Sequence, residues 1–110
     1  MNKIGVSGEQ QAKEYLVKNK YKILNCNYKT PLGEIDIIAK QKDVIVFVEV
    51  KARTSQKFGL PRESVTNFKQ NKIKQVATQF LQKNNLLNSK VRFDVIDILA
   101  NELTHITNAF

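Results

Sequence analysis

The hydrophobic positions change period several times along the chain, and the changes mark its elements. Between Ser7 and Asn19 the apolar residues Ala12 and Leu16 lie on one helical stripe, with Tyr15 at its edge. Ser7 precedes Gln10 by three residues, the spacing of a capping box, so a helix is predicted from there to about Asn19. Tyr21 to Tyr28 reads as a first strand carrying Ile23, Leu24 and Cys26, and Pro31-Leu32-Gly33 as a turn. Two apolar runs follow, Ile35–Ala39 and Val44–Val48, separated by Lys40-Gln41-Lys42-Asp43. They predict a hairpin reaching about Arg53. Its second strand is apolar without alternation, which suggests cover on both faces.

The polar, Gly- and Pro-containing stretch from Thr54 to Pro61 reads as a loop able to close over a substrate. Helical spacing returns with Phe68, Ile73, Val76, Ala77, Phe80 and Leu81, all assigned to the core, and stops at Asn84-Asn85. Val91, Phe93 and Val95 alternate with Arg92 and Asp94 as a further strand, and Leu103 to Ile106 adds a short edge strand. The predicted order is α-β-β-β-α-β-β. Such an order makes an α/β protein with a mixed central sheet flanked by helices.

Composition narrows the function classes. With 110 residues the chain fits one domain. Its single Cys26 rules out an internal disulfide framework, and with one His105 it builds no structural zinc site. Cys26 is assigned to a small buried position. No run has the apolar length of a membrane span, and Met1-Asn2-Lys3-Ile4-Gly5 has no signal-peptide character, so a cytoplasmic protein with no membrane partner is expected. The formal charge of +8 favours a polyanionic partner such as a nucleic acid. Residues 40–74 hold nine of the eighteen Lys and Arg against three acids, and so carry +6 of the +8. Lys69, Lys72 and Lys74 fit either a solvated helix face or part of a binding face.

The chemistry-bearing pattern lies inside that basic third and just before it. Asp36 sits on the first hairpin strand, and Glu49-Val50-Lys51 at the end of the second. Two carboxylates can hold a hard divalent cation such as Mg²⁺ or Mn²⁺. A lysine beside the ion can orient water and offset charge as a phosphodiester is attacked. Glu49 and Lys51, two apart on a strand, share one face. The same residues also fit a solvated surface pair at the mouth of a hairpin, worth little energetically. Glu34, two residues from Asp36, either joins that face or is a solvated strand start. Glu9 lies on the inward stripe of the first helix, an odd place for a carboxylate; its alternatives are a favourable charge near the helix N-terminus paired with Lys13, or a functional role.

Several motifs in order resemble one family. They are Gly8-Glu9 with Ala12 and Tyr15-Leu16, Gly33-Glu34-Ile35-Asp36, Phe47-Val48-Glu49-Val50-Lys51 with Arg53, Gly59 with Pro61, Arg92-Phe93-Asp94-Val95, and His105-Ile106 with Asn108-Ala109-Phe110. Together they span nearly the whole chain and resemble the YraN family of small bacterial proteins. The resemblance implies a restriction-endonuclease-like core, similar to archaeal Holliday-junction resolvases, and a metal-dependent endonuclease site acting on DNA, including branched DNA. It implies Glu9, Asp36, Glu49 and Lys51 as catalytic residues. Asp36, Glu49 and the Val50 carbonyl would hold Mg²⁺ or Mn²⁺. Arg53, Lys57, Arg62, Lys69 and Lys72 would contact phosphates. A homodimer is left open. The alternative is a non-catalytic nucleic-acid-binding or assembly module that keeps the nuclease fold.

Overall fold

The computed structural model describes residues 7–54 and 65–110. A five-stranded sheet in the order β1-β2-β3-β4-β5 is flanked by two helices: α1 (Gly8–Lys18), β1 (Lys22–Thr30), β2 (Gly33–Gln41), β3 (Val44–Arg53), α2 (Asn67–Lys83), β4 (Lys90–Leu99) and β5 (Glu102–Ile106). Neighbouring strands are antiparallel except β3 and β4, which run parallel over the register Val44↔Lys90 to Arg53↔Leu99. A parallel pair needs a long crossover, and the segment containing α2 is that crossover. The α/β class and mixed sheet follow, an architecture compatible with a restriction-endonuclease-like fold. Among the described residues no helix is long and apolar enough to cross a membrane.

The sheet separates two cores. On the α1 side Ala12 and Leu16 pack with Ile37, Val46, Val48 and Ile96; on the α2 side Ile73, Val76 and Phe80 pack with Ile38, Phe47 and Val95. Val46, Phe47 and Val48 are all buried, as a strand covered on both faces requires. Helix α1 begins where Ser7 Oγ accepts the Gln10 amide at 3.1 Å. The Gln10 side chain also donates to Glu14 Oε2 at 3.3 Å. Gly8 lets α1 approach the sheet closely, since a Cβ there would come within 2.7 Å of Ala52 Cβ.

Three expectations differ in detail. The hairpin turn is tighter, with β2 reaching Gln41 and β3 starting at Val44. Cys26 is only half-buried. Phe68 is not core: it is 73% exposed. It lies about 140° around the helix from Ile73, because five residues at 3.6 per turn overshoot one turn. The sheet-facing stripe of α2 therefore starts at Ile73.

Candidate active site

Asp36 owes its position to a phase slip in β2. Strict alternation would put Ile35 and Ile37 on one face, yet Ile35 packs on the α2 side with Ile38, while Ile37 packs on the α1 side with Ala39. The strand steps out of phase across Asp36. Backbone pairing between β2 and β3 runs from Gln41↔Val44 to Ile37↔Val48. Just beyond it, Asp36 Oδ2 accepts the Val50 amide at 2.8 Å. One carboxylate oxygen thus replaces a ladder acceptor, and the side chain is locked beside Glu49 and Val50.

Glu49 follows Phe47 on the α2 face of β3 and is only 5% exposed. Burial, then contact with the Asp36 carboxylate, raises its pKa from the ordinary 4.5 to about 7, with Lys69 pulling the other way. Lys69, on the first turn of α2, pairs with Glu49 Oε2. The contact is a charge-assisted hydrogen bond, ammonium to carboxylate. Lys51 completes the group: burial and the Lys69 ammonium lower its pKa, while Glu49 and Asp36 pull it up. Burial would lower Lys69 as well, but Glu49 outweighs it and leaves Lys69 raised. Asp36, Glu49, Lys51 and Lys69 are therefore one electrostatic unit.

Asp36, Glu49 and Val50 line a cleft of about 650 Å³ between the sheet and α2, with Lys69, Lys72 and Glu34. Glu34 is exposed and lies 3.8 Å from Lys29. Two mutually repelling, largely buried carboxylates suit a divalent cation, and Mg²⁺ commonly uses one or two carboxylates with water and substrate oxygens. Among the described residues no group of three or more His, Cys, Asp or Glu side chains is gathered for an ion. Any ion here would rest on the pair, with Val50 adjacent.

The remaining candidates make other contacts. Glu9 accepts the Asn27 side-chain amide at 2.8 Å and is absent from the cleft lining. Arg53 is 13% exposed at its side chain and donates from Nε to buried Asp97 at 2.9 Å. Lys57 and Arg62, with Gly59, Pro61 and most of the expected closing loop, lie outside the described residues.

A family model described as uncharacterised protein family UPF0102 matches residues 8–98. The chain belongs to UPF0102, the YraN family. A UPF0102 protein of Clostridioides difficile is 51% identical over 108 residues, covering 96% of this chain and 95% of the relative. One from Caldicellulosiruptor saccharolyticus is 47% identical over the full length of both. A third, from Alkaliphilus oremlandii, is 49% identical over 98% of this chain and 97% of the relative.

The UPF0102 site contains one relation that sequence reasoning missed, the pairing of Lys69 with Glu49. Its only signal was a lysine in the first helical turn, which resembles any solvated residue. The charge unit also has a measurable consequence. Glu49 has a folded pKa above its unfolded value, so its ionisation costs stability increasingly as pH rises from about 4.5 through 7. Glu49→Gln is expected to gain on the wild type by on the order of 1–3 kcal/mol between pH 5 and pH 8, read from urea unfolding at each pH. A constant difference across that range would show that Glu49 is not perturbed in the folded protein.

Proposed function

We propose that this cleft is a Mg²⁺- or Mn²⁺-dependent phosphodiesterase site, and that the protein is an endonuclease acting on DNA. The observation that carries the reading is the meeting of Asp36 and Glu49, from adjacent strands, at one cleft, with Lys51 linked electrostatically to both. Asp36 and Glu49 hold the ion, with the Val50 carbonyl as a further oxygen. When bound, the ion supplies Lewis-acid polarisation of the phosphodiester. Lys51 orients the attacking water and offsets charge developing on the phosphate oxygens. Asp36 is pre-aimed by the Val50 amide, so ordering it costs little on binding. Lys69, whose side chain is partly exposed, would be free to turn to a substrate phosphate once a bound cation took its place at Glu49. The resemblance to junction resolvases makes branched DNA the first substrate to try.

A second reading, a non-catalytic nucleic-acid-binding module, is favoured by the neutralisation of Glu49 from within. Two measurements separate them. Mn²⁺ titration by calorimetry is expected to show saturable binding in the wild type and none in Asp36→Asn. Incubation of duplex, flap, single-strand and four-way-junction DNA with Mg²⁺ or Mn²⁺ is expected to give products only where Asp36 is intact. DNA binding without turnover under either ion would leave the second reading standing.

A further inference from the structure

Phe68 has no packing role that accounts for it. It projects from the first turn of α2, 73% exposed, and lines the same cleft as Asp36 and Glu49. The Lys72 ammonium stands 5.5 Å from its ring centroid. Across the cleft, Leu32 in the turn between β1 and β2 is 39% exposed, and Lys29 lies close by. Phe68 and Leu32 expose apolar surface within one cleft, an arrangement that marks a binding groove and not a single scattered side chain. The surroundings say what kind of group fits it. The lining pairs Lys29, Lys69 and Lys72 with Glu34, Asp36 and Glu49. Of the three ammonium groups, that of Lys72 stands beside the Phe68 ring, so an occupant with an anionic group next to its apolar face fits the ring side of the cleft. The exposed ring offers a flat apolar face, so the occupant has one too. A cleft of about 650 Å³ is within the usual size of small-ligand sites.

We propose that Phe68 is a stacking platform for an unpaired base, and that the cleft takes a nucleotide whose base lies on Phe68 and whose phosphate lies between the lysines and the carboxylate floor. The inference rests on the nucleic-acid reading above and narrows it to a substrate class. In a duplex both faces of an internal base are covered by its neighbours. Only a single-stranded, looped or extruded nucleotide presents a face to Phe68. Lys72 above the ring strengthens the platform, because an ammonium beside both ring and phosphate serves each.

The test compares a fluorescein-labelled oligo(dT) strand with a blunt duplex of the same length, by anisotropy in EDTA and low salt, using the full chain. Wild type is expected to prefer the single strand. Phe68→Ala is expected to weaken single-strand binding by about ten- to hundredfold and duplex binding by less than about twofold. Phe68→Tyr, which keeps the ring, is expected to restore the single-strand affinity. Equal losses on both probes, a Phe68→Tyr variant as weak as Phe68→Ala, or no preference in the wild type overturns the platform. So does a change of oligomeric state in Phe68→Ala without DNA, which would make the ring a protein contact. Because the assay contains no divalent ion, its outcome is independent of turnover. Ring-dependent binding with no cleavage under any ion would end the nuclease reading and leave the platform standing. Cleavage with ring-independent binding would do the reverse.

Discussion

Lys51→Ala is expected to lower the rate of metal-dependent DNA cleavage by about a hundredfold or more while leaving the fold and most DNA affinity intact. Removing one donor aimed at developing charge costs on the order of 3 kcal/mol in a preorganised site. The effect should appear in the chemical step because Lys51 is linked electrostatically to Glu49 and Asp36, the groups that would hold the ion, while Lys69 and Lys72 line the cleft that would take the strand. Such a group contributes little to docking a strand and much to its reaction. Single-turnover rates at saturating Mg²⁺, beside anisotropy with uncleaved DNA, separate the two. Lys69→Ala provides the contrast, since Lys69 lines the cleft and pairs with Glu49 in the absence of an ion. It should weaken DNA binding and also tighten Mn²⁺ binding, by removing a competing cation. Full activity in Lys51→Ala would remove that lysine from the mechanism.

How much of this was legible beforehand follows from the kind of signal each part carries. Every element was readable, because periodicity records which faces are covered: the unbroken run Val44–Val48 announced a strand buried on both sides, and Ile73 to Leu81 a helix on a sheet. Glu49 and Lys51 on one face follow from strand geometry alone. Asp36 was readable as a candidate but not its attachment to the Val50 amide, since a phase slip depends on how the neighbouring strand pairs. Phe68 was misassigned because apolar character was allowed to stand for burial, although its angular offset from Ile73 was calculable. The C-terminal half of β4 was also missed. Asp94 reads as a polar member of an apolar alternation that stops at Val95, yet residues 94–98, Asp97 among them, are all buried. A buried aspartate shows in sequence only through its partners, and most are distant here: Arg53 for Asp97, and His105 and Asn108 for Asp94, which has only Arg92 nearby.

Those partners make Asp94 the residue whose loss should most destabilise the fold. Its carboxylate is fully buried on the α1 side of β4 and closes four hydrogen bonds. Arg92 donates to both oxygens, from Nε at 2.9 Å and Nη2 at 2.8 Å. His105 Nε2 lies 2.6 Å from Oδ2, and the Asn108 amide donates to Oδ1 at 3.0 Å. A carboxylate only accepts, so the imidazole proton sits on Nε2. In the neutral ring Nδ1 then accepts from the Tyr15 hydroxyl, 3.0 Å away. Arg92 reaches on to Tyr21 at 2.7 Å. One side chain thereby ties α1, the start of β1, β5 and the C-terminal residues to β4, with Ala109 pairing to Phe93 and Phe110 stacking on it. Asp94→Ala would strand the Arg92 charge and the Asn108 amide together, at a cost of about 3–5 kcal/mol, a large part of the stability of a domain this size. Burial alone would raise the Asp94 carboxyl, but His105, Arg92 and the Asn108 amide hold it below the ordinary 3.8. The stabilisation is therefore complete above about pH 4 and is lost as pH falls through the lower folded value. Urea unfolding at pH 7 is expected to show the full deficit in Asp94→Ala, and the gap to wild type should narrow in acid. A deficit below about 1 kcal/mol at pH 7, or one that does not shrink with acid, would show that this network does not fasten the C-terminal strands.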